Sequence, residues 1–272
     1  MRINVVYPKD GWILQHMGDM LIKYYPEREN ISGHWYGKSS VKNLWKEDSP
    51  IMKKEKGVIN YFINYAIYRK STPNKDVLFF THPIDERFWK LSKTANLSIF
   101  MTKQYCDKAI SLGSNAVNIT PGIDDIYRPK LVLGFVGSIK YGERKGKSLL
   151  DKVDSLKFVN LKCTNKTLKT NELPDFYSSL DYILVTSTVE GGPMCILEGL
   201  GCGKQIICPH TIGFASEYKS EIINYNVNSF ESLEKILRKL YSVKKKRYDL
   251  VKDRTWERWS LDHYNAFKNN TR

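Results

Sequence analysis

The chain has 272 residues and sets 43 Lys and Arg against 29 Asp and Glu, a formal net charge of +14. Its 42% hydrophobic and 12% aromatic content is enough to bury ordinary cores, which excludes a disordered chain. Seventeen Gly and ten Pro exclude a collagen-like repeat, and no apolar run approaches the ~20 residues of a spanning helix.

Taken in chain order, short apolar runs alternate with longer amphipathic ones. Strands are expected over 3–7, 77–81, 97–101, 117–119, 132–136, 157–161, 182–186 and 205–208. These runs are rich in Val, Ile, Leu and Phe and mostly bounded by Gly, Pro, Asp or Asn, as buried parallel strands are. Helices are expected over 12–24, 54–69, 103–112, 146–156, 172–179, 193–200, 229–241 and 243 to about 268. Strand–helix alternation implies an α/β architecture. The first apolar run stops at Lys9-Asp10, too soon for the core of a signal peptide, so a cytoplasmic protein is expected. The segment 119–129, with two Pro, one Gly and two Asp, reads as a boundary between two halves.

The five cysteines, Cys106, Cys163, Cys195, Cys202 and Cys208, are odd in number and form no CxxC. Buried reduced thiols are the simplest reading, with neither a zinc site nor a disulfide framework expected. Charge is uneven. Residues 235–258 carry ten basic and three acidic side chains, half of the surplus, including Lys244-Lys245-Lys246-Arg247. A solvated helix face accounts for such a run as readily as a patch for polyanions does.

Chemistry concentrates in 180–198. A strand runs into Thr186-Ser-Thr-Val-Glu190-Gly-Gly-Pro193, with Pro193 placed where a first helical residue is favoured. Strand, glycine turn and helix start present unpaired backbone N–H groups to an anion, and phosphate is the natural guest. Glu190 and Glu198 would be repelled by phosphate and so suit hydroxyls, since a carboxylate accepts two hydrogen bonds from a vicinal diol. A glycosidase-like pair of acids is the other reading of the same two residues.

Glu190-Gly-Gly-Pro-x3-Leu-Glu198 resembles the Glu-x7-Glu signature of retaining, family-4-type glycosyltransferases of the GT-B fold. Four more segments resemble that family in the same order: Ile119-Thr-Pro-Gly-Ile-Asp124, Gly134-Phe-Val-Gly-Ser138 with Arg144-Lys-Gly-Lys-Ser-Leu-Leu150, Phe176-Tyr-x3-Asp181, and the stretch from Glu198 to Glu217. The likeness covers about 77–217 and is poor over 12–76. It implies two Rossmann-like domains with parallel sheets facing across a cleft. An acceptor-side domain over 1–129, joined by a C-terminal helix at about 255–272 that crosses back to it, would face a nucleotide-sugar domain over 130–254.

The resemblance also implies roles. Glu190 would contact donor-sugar hydroxyls and Glu198 the ribose, while Gly191, Gly192, Pro193 and Met194 bring backbone close to sugar and diphosphate. Lys145 would neutralise the diphosphate, so no cofactor or metal is called for. His82, after the 77–81 strand, would sit near the reacting centre, and Gly11 resembles the family's N-terminal glycine loop. Where the family has Arg after the strand glycine this chain has Ser138, and Arg144 is the expected substitute. The implied partners are a nucleotide sugar (UDP- or GDP-linked) and a glycan or lipid acceptor. Peripheral contact with an anionic membrane is compatible with the charge, and nucleic acid, as in a phage-type DNA-base glycosyltransferase, is less favoured. The rivals are a glycosidase or phosphorylase and a non-catalytic carbohydrate- or nucleic-acid-binding relative. Trp12, His34, Trp35 and Tyr36 read first as packing residues and second as an acceptor groove.

Overall fold

The computed structural model describes residues 1–9, 11–36, 57–68, 76–83 and 86–270. They form two α/β units, one built from 1–127 with 251–272 and the other from 128–250.

In unit 1 the strands β1 (Arg2–Pro8), β2 (Ile31–Tyr36), β3 (Val58–Phe62), β4 (Val77–Phe80), β5 (Leu97–Phe100) and β6 (Ala116–Asn118) lie in the order β2-β1-β3-β4-β5-β6. Every pairing is parallel. β4 and β5 are buried at every position; β4 is wholly apolar, and in β5 the buried Ser98 hydroxyl is satisfied by the Ser92 carbonyl at 2.9 Å. Alternate residues feed two cores. Val5, Tyr7, Ile59, Tyr61, Val77, Phe79 and Ile99 meet α1 (Ile13–Tyr24) and α9 (Trp256–Asn270) on one face. Val6, Phe62, Leu78, Phe80 and Phe100 meet α2 (Arg87–Thr94) and α3 (Lys103–Ser111) on the other.

Unit 2 holds β7 (Leu131–Phe135), β8 (Val159–Cys163), β9 (Tyr182–Leu184), β10 (Ile206–Ile207) and β11 (Ile222–Ile223) in the order β11-β10-β9-β7-β8, again all parallel. One face packs on α4 (Lys147–Asp154) and α8 (Phe230–Asp249). The other packs on α5 (Leu173–Ser178), α6 (Met194–Gly201) and α7 (Gly213–Glu217).

Two expectations are corrected. The central part of 54–69 is not a helix but β3, followed by a short 3-10 turn at Tyr65–Ile67; positions 54–56 and 69 lie outside the described residues. The run Val58-Ile-Asn-Tyr-Phe-Ile63 is apolar on both faces, and periodicity cannot separate a buried strand from a helix in so short a run. The single helix expected from 243 to 268 is two. α8 runs on to Asp249, and α9 begins after Thr255, whose Oγ1 accepts from the Arg258 N–H at 3.2 Å. Between them the Arg254 carbonyl accepts from the Ile123 N–H at 2.8 Å, and Trp256 Nε1 donates to Asp124 at 2.9 Å. A Cβ on Gly122 would lie 2.6 Å from the Trp256 backbone nitrogen, so the glycine admits the returning helix. β2, α2, α7 and β11 went unread in the sequence.

α9 buries Trp256, Trp259, His263, Ala266 and Phe267. His263 is fully enclosed. Its Nδ1 meets the Trp259 carbonyl at 2.8 Å, so Nδ1 carries the proton, and Nε2 accepts from the Tyr61 hydroxyl at 2.9 Å. Burial opposes a charged ring and pushes its pKa down from 6.5 to about 3. The unfolded chain takes up a proton below about pH 6.5 that the folded one refuses, so stability is intact above that pH. It is then expected to fall by about 1.4 kcal/mol per pH unit until about pH 3. Urea unfolding of unit 1 between pH 7 and pH 4.5 checks this, and His263→Gln flattens the dependence.

Candidate functional site

The strand order of unit 2 places its site. β7 leads to β8 on one side, and the chain then crosses to β9 on the other side of β7. The carboxyl ends of β7 and β9 therefore flank a switch point, where open α/β sheets leave a crevice for ligands. The β7 loop brings Arg144 and Lys145 there, and the β9 loop brings Glu190.

The two loops are stitched together by backbone. The Thr186 hydroxyl donates to the Lys145 carbonyl at 2.6 Å, and the Thr188 N–H donates to the Arg144 carbonyl at 3.1 Å. Gly146 is left-handed (φ 70°), and a Cβ there would overlap the Thr186 carbonyl oxygen. Only glycine lets the loop approach so closely. On the far side the Gly213 N–H donates to the Glu190 carbonyl at 3.2 Å, and a Cβ on Gly213 would overlap Gly191. Gly192 lies against the Phe214 ring, 2.8 Å from where its Cβ would stand. Replacing Gly146 by Ala combines a left-handed backbone with a steric overlap and is expected to cost about 2 kcal/mol. Guanidinium denaturation of Gly146→Ala against wild type measures it.

Within this frame the Glu190 carboxylate is clasped by cations. Arg144 Nη1 lies 3.0 Å from Glu190 Oε1, Lys145 Nζ pairs with the same oxygen, and the Ser187 hydroxyl donates to it at 3.4 Å. Lys145 and Glu190 side chains each keep 16% exposure, whereas Arg144 keeps 50%. Burial raises the Glu190 pKa, but Lys145, Arg144 and Ser187 together outweigh it and hold the carboxyl below its ordinary range. The group is a carboxylate at neutral pH, flanked by two cations.

The other expected residues are placed as follows. Glu198, on α6, accepts from the buried Tyr177 hydroxyl at 2.5 Å. Burial first, then this carboxylate, raises the Tyr177 pKa well above its usual value. Gly191 and Gly192 are exposed in the turn, Pro193 precedes α6, and Met194, the first residue of α6, is exposed. Ser138 is buried and its hydroxyl accepts from the Lys140 N–H at 3.3 Å, so it serves the turn. Gly199 stands where a Cβ would overlap Ile183, which lets α6 sit closer to β9 than Ala would allow. Cys195, buried at the start of α6, has its pKa pushed up to about 12 by burial and is a neutral thiol.

Gly11 and His82 lie in unit 1. Gly11 (φ 75°) follows β1 at that unit's own switch point, its N–H donating to the Gln15 side chain at 2.8 Å. His82 is exposed beyond the carboxyl end of β4. Trp12 and Trp35 are exposed, with Lys9 over the Trp35 ring at 4.9 Å. Sequence reasoning missed Thr186, Ser187 and Gly213. Thr186 and Ser187 were legible as small polar residues ending the strand; nothing local marked Gly213. Among the described residues no group of three or more His, Cys, Asp or Glu is placed to hold a metal ion, and no helix is long and apolar enough to cross a membrane.

No family model and no curated protein matches this chain. Among solved structures it is similar to an S. aureus TarM mutant in complex with fondaparinux, alpha-GlcNAc-glycerol and UDP, at 12% identity and a TM-score of 0.33. That match covers 84% of this chain and 58% of TarM, so the chain spans little more than half of that protein's length. It is also similar to the trehalose-6-phosphate synthase OtsA (10% identity, 99% of each chain, TM-score 0.40). A third is WaaG, a glycosyltransferase involved in lipopolysaccharide biosynthesis (14% identity, 97% of this chain and 95% of that one, TM-score 0.33).

Proposed function

We propose that the chain is a glycosyltransferase that moves a sugar from a nucleotide-diphosphate sugar to an acceptor hydroxyl with retention at the anomeric carbon. The observation that carries this reading is the clasp of Glu190 by Arg144 and Lys145 at the switch point of unit 2. Two cations beside a crevice neutralise the negative charge that grows on a departing diphosphate, and they act without a metal ion. Glu190, kept ionised by the same cations, accepts hydrogen bonds from donor-sugar hydroxyls. Glu198, oriented by Tyr177, does the same for the ribose. The exposed Gly191-Gly192 turn admits the sugar and diphosphate close to backbone N–H groups. Departing phosphate and incoming hydroxyl share one face of the sugar, so the phosphate oxygen takes the hydroxyl's proton. Unit 1 supplies the acceptor side, with His82 as the group proposed to meet it. The basic stretch 235–258 supports an acceptor held at an anionic surface, a bilayer ahead of nucleic acid.

Thermal shift against UDP-, GDP- and ADP-sugars, followed by product analysis with glycan and lipid acceptors, tests the proposal. A stabilising nucleotide sugar whose transfer falls ~100-fold in Glu190→Gln, without loss of stability, supports it. Cleavage of an oligosaccharide with no nucleotide sugar present identifies a glycosidase instead. Binding without turnover identifies a non-catalytic relative.

A further inference from the structure

Unit 2 has a second concavity, at the end of its sheet opposite to Glu190. A cavity of about 350 Å3 opens where β7, β9 and β10 begin, with α8 as its wall. Leu240, Val243, Lys244 and Arg247 line it. Their spacing of three, four and seven residues puts them on one face of the helix. The volume is at the lower end of small-molecule sites, ~300–1,000 Å3.

The hydrogen-bond census of this cavity is unbalanced. Lys244 Nζ donates to Asp181 Oδ2 at 2.5 Å and to the Lys130 carbonyl at 3.2 Å, which leaves one of its three N–H groups unused. Asp181 is itself pinned, because the same oxygen accepts from the Val132 N–H at 2.7 Å, so the ammonium is held in place. Arg247, one turn further on, is exposed and forms no side-chain hydrogen bond or ion pair among the described residues. Elsewhere on α8 Arg238 pairs with Glu234 and Lys245 with Asp249, while Lys235, Lys239 and Lys246, without an ion pair among the described residues, do not line the cavity. A positioned ammonium and an open guanidinium fork beside the apolar Leu240 and Val243 suit a small phosphate ester with an aliphatic body. The single carboxylate of Asp181 disfavours more highly charged ligands such as a polyphosphate. Val243 is apolar yet 58% exposed, and Leu250, 79% exposed, continues the same stripe beyond the cations.

From this placement we propose that unit 2 carries a phosphate-ester site at the amino ends of β7, β9 and β10, with Lys244 and Arg247 as its cations. It is separate from the donor site, at the other end of the sheet. The same chemistry is offered by a soluble organic phosphate and by the headgroup of an anionic lipid.

The test reads binding alone and uses no nucleotide sugar, so its failure is distinct from failure of the transferase reading. The intact chain is titrated with sn-glycerol 3-phosphate by calorimetry. It is also floated with vesicles of phosphatidylcholine, with and without phosphatidylglycerol. Arg247→Gln is compared with Lys235→Gln, an equal loss of charge on an exposed residue ~120° away around the same helix. The expected result is binding of at least one probe, weakened roughly tenfold by Arg247→Gln and unchanged by Lys235→Gln, with both variants melting as wild type does. Vesicle binding that depends on phosphatidylglycerol assigns the site to a lipid headgroup. Binding of glycerol phosphate without vesicle binding assigns it to a soluble ester. The proposal is overturned if neither probe binds, or if the two variants lose affinity equally.

Discussion

Lys145→Ala is expected to lower glycosyl transfer by roughly 10²–10³-fold at saturating nucleotide sugar, while the protein melts close to wild type. Lys145 stands in direct contact with Glu190 and is held there by its own carbonyl, which accepts from Thr186. The proposed step places growing charge on a leaving diphosphate. A preorganised cation at such a point contributes about 3–4 kcal/mol to the transition state. Loss of Lys145 also leaves Glu190 with Arg144, whose side chain is half exposed and a weaker partner. Burial then acts less opposed, so the pH at which Glu190 protonates rises. The acid limb of the pH–rate profile therefore moves to higher pH in the variant. Measuring kcat and its pH profile with one donor decides the matter. Turnover close to wild type in Lys145→Ala removes the electrostatic role assigned to this residue.

The second large effect is structural. Trp259→Ala is expected to destabilise unit 1 by about 4 kcal/mol, as full truncation of a buried aromatic does. Trp259 is 1% exposed and packs edge-on against Phe79 (5.5 Å) and Trp256 (6.2 Å), with His263 at 4.0 Å. It joins α9 to Phe79 on β4, 180 residues earlier in the chain. Chemical denaturation followed by tryptophan fluorescence measures the loss. Unit 2 has its own cores, from Leu131 to Leu237, and is expected to keep its transition. Trp259→Phe is milder: it keeps an aromatic ring and removes an indole N–H that has no partner in its buried site.

How far the sequence could be read follows the physics of each element. β4, β5 and β7 were legible because strands buried on both faces are predominantly apolar and end at polar or turn residues. β3 was misread because the same continuity, without a clear break, also fits a helix. β2, Ile31-Ser-Gly-His-Trp-Tyr36, is an edge strand with polar positions, and pairing with β1 rather than local propensity holds it. Glu190, Arg144 and Lys145 were singled out through the family resemblance, but their pairing with one another was not foreseen. Nor was the stitching that aims the clasp. Thr186 to Lys145, Thr188 to Arg144 and Gly213 to Glu190 are backbone-mediated bonds, and such bonds leave no residue signature beyond a glycine or a threonine. The seat on α8 was visible only as surplus charge. Which lysines are neutralised within the helix and which face a cavity is a matter of rotation about its axis.

Unit 1 is interrupted: its chain departs at Tyr127 and resumes at Val251, with all of unit 2 between. A ribosome delivers such a protein in an order that the architecture has to tolerate. The six-stranded sheet of unit 1 is synthesised first, yet one of its faces has no Trp256, Trp259 or Phe267 to cover it until unit 2 has been made. Unit 2, contiguous and self-contained, is free to finish folding while the first sheet waits with aromatic surface uncovered. The nascent chain is thus most exposed to aggregation and to chaperone capture during the interval in which 128–250 emerge. Closure of α9 over Phe79 and Tyr61 ends that interval.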